Sequence, residues 1–209
     1  MTLRSTLLTT VVTFALAGSA FAEGCDKIVF SDVGWTDITA TTAATALVAE
    51  ALGYETEIKV LSVPVTYTGL AEGDVDVFLG NWMPTMEADL APHRDAGKVE
   101  TVRTNLEGAK YTLATNEAGA ALGIADFKDI ATHKDALGAE IYGIEPGNDG
   151  NRILLEMIEG GPFGLDGFEL VESSEQGMLA EVAKKSDAGE PIVFLDWEPH
   201  PMNANFKMT

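Results

Sequence analysis

Short apolar runs bounded by Gly, Pro, Asn or Asp alternate along this chain with segments of helical periodicity. That alternation narrows the possible folds more than any other feature. Lys27–Val33, Glu57–Val63, Val75–Leu79, Lys110–Thr115, Glu140–Ile144, Phe168–Val171 and Ile192–Leu195 read as strands, rich in Val, Ile, Phe and Tyr. Thr39–Leu52 reads as a helix, with Ala44, Leu47, Val48 and Ala51 on one face and Gly53 as a stop. Met86–Ala96 and Asn151–Glu159 are shorter helices, and Ser173 with Gln176 forms a capping-box pattern that opens Glu175–Ala188. Strands alternating with helices predict α/β layers around a largely parallel sheet. No repeat or low-complexity linker interrupts the pattern, and Asn105–Lys110 is the best candidate for a crossing between two lobes.

The start of the chain reads as an address. Arg4 supplies a positive charge, Leu7 to Ala17 an apolar stretch, and Ala20-Phe21-Ala22 a small-x-small cleavage pattern. Residues 1–22 are therefore expected to be a secretory signal, with a retained anchor as the alternative. In a bacterium this places the mature chain in the periplasm. There the single Cys25 is an odd residue that implies a missing partner, a reactive thiol or a lipid anchor. Glu23 beside it disfavours the anchor.

In open α/β sheets, ligands bind beyond the carboxyl ends of the strands. Gly34-Trp35-Thr36-Asp37 follows the first strand, Gly80-Asn81-Trp82-Met83-Pro84 the third, and Asp196-Trp197-Glu198-Pro199-His200 the last. All three tryptophans of the chain thus occupy equivalent slots. Each could be core filler. Together they predict an aromatic site, for which a quaternary ammonium ion is the best-attested guest, since it has no N–H to satisfy. Each ring contact is worth ~0.5–1 kcal/mol when exposed and ~2 or more when desolvated. A sugar could also stack there. Asp37 could favour a cation at the rim or cap a helix starting at Ile38. Asn148, in Gly147-Asn148-Asp149-Gly150, could bind a ligand hydroxyl or serve as a turn or cap residue. Tyr111 could add a fourth ring or simply pack on its strand.

Charge removes other classes of partner. With 13 Lys+Arg against 33 Asp+Glu the formal net charge is −20, which disfavours nucleic acid and anionic membrane surfaces. There is no nucleophile elbow, P-loop or His-Glu-x-x-His motif, and His93, His133 and His200 are not at metal-ligand spacing. No catalytic residue, metal site or cofactor is expected.

Four motifs then carry a resemblance. They are Phe30-Ser31-Asp32-Val33-Gly34-Trp35-Thr36-Asp37, Val77-Phe78-Leu79-Gly80-Asn81-Trp82-Met83-Pro84, Ile144-Glu145-Pro146-Gly147-Asn148-Asp149-Gly150 and Trp197-Glu198-Pro199-His200. From about Ile28 onward the chain resembles the periplasmic choline-binding proteins of bacterial choline ABC importers, relatives of the glycine betaine and proline betaine binders. The resemblance implies an α/β, two-lobed, type II Venus-flytrap fold, with lobe 1 at 23–107 and lobe 2 at 108–209. It implies that Trp35, Trp82, Tyr111 and Trp197 surround the trimethylammonium group, that Asp37 faces the cation and its hydroxyl end, and that Asn148 binds the hydroxyl. Trp35, Asp37 and Trp82 would come from the first lobe and the others from the second. The implied partners are choline or a related quaternary amine, an inner-membrane ABC permease and its ATPase. Family members continue beyond the position of Thr209 and return to the first lobe, so an incomplete first lobe is expected. A cysteine in that continuation would pair with Cys25. The competing readings are a glycine betaine or proline betaine binder, an extracytoplasmic enzyme acting on a choline ester, and a truncated fragment without function.

Overall fold

The computed structural model describes residues 26–209; the expected signal and Cys25 lie outside the described residues. The described strands form two sheets. The first, in the order β2-β1-β3, contains β1 (Lys27–Asp32), β2 (Glu55–Val60) and β3 (Val77–Phe78), all parallel. The second, in the order β4-β7-β5-β6, contains β4 (Lys110–Thr115), β5 (Glu140–Tyr142), β6 (Glu169–Val171) and β7 (Val193–Glu198). Within it β5 pairs in parallel with β6 and β7, while β4 runs antiparallel to β7. Helices α1 (Thr36–Ala51), α2 (Val63–Glu72) and α3 (Glu87–Asp95) accompany the first sheet in chain order. Helices α4 (Glu117–Leu122), α5 (Phe127–Ile130), α6 (Asp149–Ile158), α7 (Glu175–Ala188) and α8 (Met202–Asn205) accompany the second. This is the expected α/β, two-lobed arrangement. No helix among the described residues is long and apolar enough to cross a membrane.

The strand β4 and the helix α7 have the bounds that the sequence predicts. The expected strand at Glu57–Val63 is displaced: β2 ends at Val60 and α2 begins at Val63. Its β-branched run reads as strand, but Pro64 occupies the first turn of α2, where its preset φ and missing N–H cost nothing. The cap of α7 also shifts by one residue, because the Ser174 hydroxyl, not Ser173, accepts the Gly177 N–H at 3.0 Å.

Helix α1 begins at Thr36 and buries Ile38, Thr42, Ala46 and Ala49. The face expected to be covered is turned away instead. Leu47 and Leu52 are 67% and 73% exposed, as is Val60 of β2 at 71%. Small residues on the inner face let α1 approach the sheet closely, which leaves the larger side chains outside. The first lobe therefore has little cover over α1 and β2, in keeping with the expected shortfall.

The loop after β5 is held by one side chain. Asn151, buried on α6, accepts the Ile144 N–H at 3.0 Å and donates to the Ile144 carbonyl at 2.9 Å and the Glu145 carbonyl at 3.2 Å. These groups would otherwise be buried without partners. Asn151→Ala should destabilise the fold by about 2–4 kcal/mol, read as a lower urea midpoint at unchanged m-value.

Candidate functional site

The turn from β1 into α1 places the first ring. Gly34 has φ +82°, a conformation that only glycine adopts freely, and its N–H donates to Asp32 Oδ1 at 2.8 Å. Trp35 then takes the N-cap position of α1 without capping it by its side chain. The cap comes from the other lobe. Glu175, the first residue of α7, accepts the Thr36 N–H at 2.8 Å through Oε2 and the Thr36 hydroxyl through Oε1.

Register places two more rings. Tyr111 of β4 and Trp197 of β7 are direct antiparallel partners, so both side chains stand on one face of the sheet. Their ring centroids lie 6.4 Å apart at an interplanar angle of 81°. Trp197 lies within β7 rather than beyond its end, because β7 runs to Glu198. Trp82, on the segment after β3, approaches Tyr111 at 5.9 Å, and Trp35 approaches Trp197 at 6.4 Å. The four rings, with Ile144 and Asp149, line one pocket.

The polar ends of three rings are tied down, two of them across the cleft. Trp35 Nε1 donates to Glu145 Oε1 at 2.9 Å, and Trp197 Nε1 donates to Asp37 Oδ1 at 3.3 Å. The Tyr111 hydroxyl donates to Asn148 Oδ1 at 3.2 Å. The same Asn148 oxygen caps α6 by accepting the Gly150 and Asn151 N–H groups at 2.8 and 3.2 Å. Gly150 is required here, since a Cβ would collide with the Tyr111 hydroxyl. Two further links cross between lobes. Gln176 Nε2 donates to the Gly34 carbonyl at 3.0 Å, and the Arg152 guanidinium bonds the Asp89 carboxylate at 3.0 Å and the Thr85 carbonyl at 2.9 Å.

Of the expected site residues, the structure brings Trp35, Trp82, Tyr111 and Trp197 together around one space. Asp37 and Asn148 each accept a hydrogen bond from one of these rings. Asp37 is not a helix cap, because α1 starts one residue before it. Asp149, Glu145, Glu175 and His200 were not singled out by the sequence. Asp149, Glu145 and His200 all lie within the motifs, but no local pattern assigned them a role. Glu175 carried no local signal, since its partners are 139 residues away.

Four carboxylates therefore lie close to the pocket. Burial raises the pKa of Asp37 and Asp149, and it pushes Glu145 up to about 7 against the hydrogen bonds from its own backbone N–H and from Trp35. Burial acts on Glu175 in the same direction, but hydrogen bonds from His200 and Thr36 outweigh it and hold this carboxyl below its ordinary value. Burial also lifts the Tyr111 phenol well above its ordinary range, so the hydroxyl stays protonated and donates to Asn148.

Asp37, Glu175 and His200 offer donor atoms within 4.8 Å of one another, the only such grouping of metal-ligand types found among the described residues. His200 Nδ1 accepts the Met202 N–H at 3.0 Å, and Nε2 lies 3.2 Å from Glu175 Oε1. Both Glu175 oxygens also receive Thr36. Glu175 thus ties Thr36 of the first lobe to the second, with His200 Nε2 beside it.

Solved structures of known proteins share this fold. A solved ABC-transporter choline binding protein in complex with choline is 71% identical, with a TM-score of 0.87. The match covers 90% of this chain and 65% of that one, so the chain spans just under two thirds of the length of this relative. An uncharacterized protein, ORF1, from Chromohalobacter salexigens is 49% identical over 142 residues, covering 68% of this chain and 92% of its own. A glycine betaine and L-proline binding protein from Borrelia burgdorferi, at 23% identity and a TM-score of 0.80 over 88% of this chain and 67% of that one, shares the fold. Residues 26–209 match the family described as OpuAC, the substrate binding domain of the ABC-type glycine betaine transport system, and the chain is a member of that family.

Proposed function

We propose that this chain is the periplasmic substrate-binding component of an ABC importer and that it binds choline, or a close quaternary amine, between its two lobes. The observation that carries the reading is the convergence of Trp35, Trp82, Tyr111 and Trp197 on one small pocket. Ring faces attract a quaternary ammonium ion, and the indole N–H groups of Trp35 and Trp197 are already bonded elsewhere, leaving their faces for the guest. Desolvated contacts of ~2 kcal/mol each could supply much of the ~8 kcal/mol of a micromolar complex. The choline bound by the 71% identical relative supports the same guest. A betaine is less well matched, because its carboxylate would meet Asp149, the ionisable acid on the pocket wall.

The roles follow from position. The four rings would hold the trimethylammonium group. Asp37 and Asn148 would keep Trp197 and Tyr111 in place, and Asn148 would offer its amide towards the hydroxyl end. Rings from both lobes would favour the closed arrangement once the guest is present. An inner-membrane permease and its ATPase would then take the solute from that closed form. Export of the chain by residues 1–22 belongs to the same reading.

The cage predicts that Trp82→Ala and Trp197→Ala each weaken choline binding by at least ~1–2 kcal/mol in isothermal titration calorimetry. Unchanged affinity in both would refute it. The cross-cleft carboxylates predict a pH profile. Glu145 holds its proton in the folded state up to about pH 7, whereas an ordinary glutamate loses it near 4.5. The folded state thus binds more protons over that interval, and stability falls as pH rises through it. Glu175 has the opposite sign: its contribution is present above pH 4.5 and is lost as pH falls through its depressed folded value. Thermal melting of Glu145→Gln should show a flatter profile between pH 4.5 and 7 than the parent, with the acid-side loss retained.

A further inference from the structure

The turn between β1 and α1 carries Trp35, and the second lobe meets polar groups on both sides of it. The turn's own lobe supplies Asp32, whose Oδ1 accepts the Gly34 N–H at 2.8 Å. The groups nearest the ring go across the cleft. The Gly34 carbonyl accepts Gln176 Nε2 at 3.0 Å, and the Thr36 N–H and hydroxyl donate to the two Glu175 oxygens. Trp35 Nε1 itself donates to Glu145 Oε1 at 2.9 Å. Glu175 and Gln176 are the first two residues of α7, so one short segment grips the turn before and after Trp35.

These bonds depend on the lobes being together. The Thr36 N–H is one of the first four of α1 and has no acceptor within that helix, and Trp35 at the N-cap supplies none from its side chain. With the lobes apart, this helix end and Glu175 would both face water. Here Glu175 is 1% exposed, a state tolerated for a carboxylate only where donors meet it, and its Thr36 donors belong to the other lobe. Hydrogen bonds to an ionised group in so dry a place are stronger than neutral ones.

We propose that Glu175 and Gln176 form a latch that closes on the β1–α1 turn and fixes Trp35 in the cage only when the lobes meet. This rests on the choline reading above. Neither residue lines the pocket, so both are positioning residues that act through Trp35. The wall that Trp35 provides is completed by closure, and the latch holds the guest in rather than admitting it.

The test follows choline binding by the mature protein in stopped-flow tryptophan fluorescence, and the exchange of the Thr36 amide hydrogen by NMR. The parent is compared with Thr36→Val, Glu175→Gln and Gln176→Ala, with thermal unfolding of the unliganded proteins as the folding control. Thr36 is exposed and Val keeps its shape, so Thr36→Val tests the latch even where Glu175→Gln does not fold. Choline should leave Glu175→Gln about tenfold faster or more, and the other two variants several-fold faster. Association should stay within about twofold of the parent, because the latch forms after encounter. Saturating choline should slow Thr36 exchange about tenfold or more in the parent and leave it nearly unchanged in Glu175→Gln. A parent that binds choline overturns the latch if dissociation is unchanged in both Thr36→Val and Glu175→Gln, or if its Thr36 amide is equally protected with and without choline. A parent that binds no choline would instead sink the choline reading, and this inference with it.

Discussion

The geometry of the cleft depends on one buried carboxylate that serves two helices. Glu175 begins α7 in the second lobe and caps α1 in the first through the Thr36 N–H and hydroxyl. Both helices present their positive ends at this point, so a negative charge there is stabilised from two sides. His200 Nε2 adds a third approach. Because the cap comes from across the cleft, the residue at the N-cap position of α1 need not be Ser, Thr, Asp or Asn. Here it is Trp35, and its ring turns into the pocket. The bond that joins the lobes thereby releases a position for recognition.

The same economy governs the other rings. A buried tryptophan or tyrosine must place its N–H or O–H on an acceptor. Glu145, Asp37 and Asn148 provide those acceptors for Trp35, Trp197 and Tyr111. Two of these bonds cross the cleft in opposite directions, so each lobe orients a ring of the other. Satisfied polar ends leave apolar faces around a small space. The formal charge of −20 acts differently, since salt screens bulk charge within ~10 Å, whereas charges on a desolvated wall are screened much less.

Much of this was legible beforehand where local rules decide. β4 is a compact run of strand formers, and α7 is opened by a hydroxyl cap and closed by Gly189 in the left-handed region, so both have the expected bounds. The convergence of Trp35 and Trp82 was visible because strand ends point to one side of an α/β sheet, whereas Trp197 reaches the same space from within β7. The errors have specific causes. In Val63-Pro64-Val65-Thr66 the β-branched residues outvoted the proline that starts α2. In α1 periodicity identified an apolar stripe, but the sheet accepts the stripe of smaller residues instead. The pairing that brings Tyr111 opposite Trp197 depends on β7 inserting between β4 and β5, which no local pattern announces.

By itself the sequence determined the alternation of strand and helix, the placing of tryptophans at or near strand ends and the excess of acidic over basic residues. These follow from residue type and short-range spacing, and they survive any tertiary arrangement. Only the tertiary structure decided which carboxylate does what. Asp37 and Asp149 are both acids within the motifs, yet one accepts an indole N–H from across the cleft and the other lines the pocket from the start of α6. The reason is physical: the state of a carboxylate is set by burial and by the donors within about 3 Å, and here the decisive donors come from residues more than a hundred positions away.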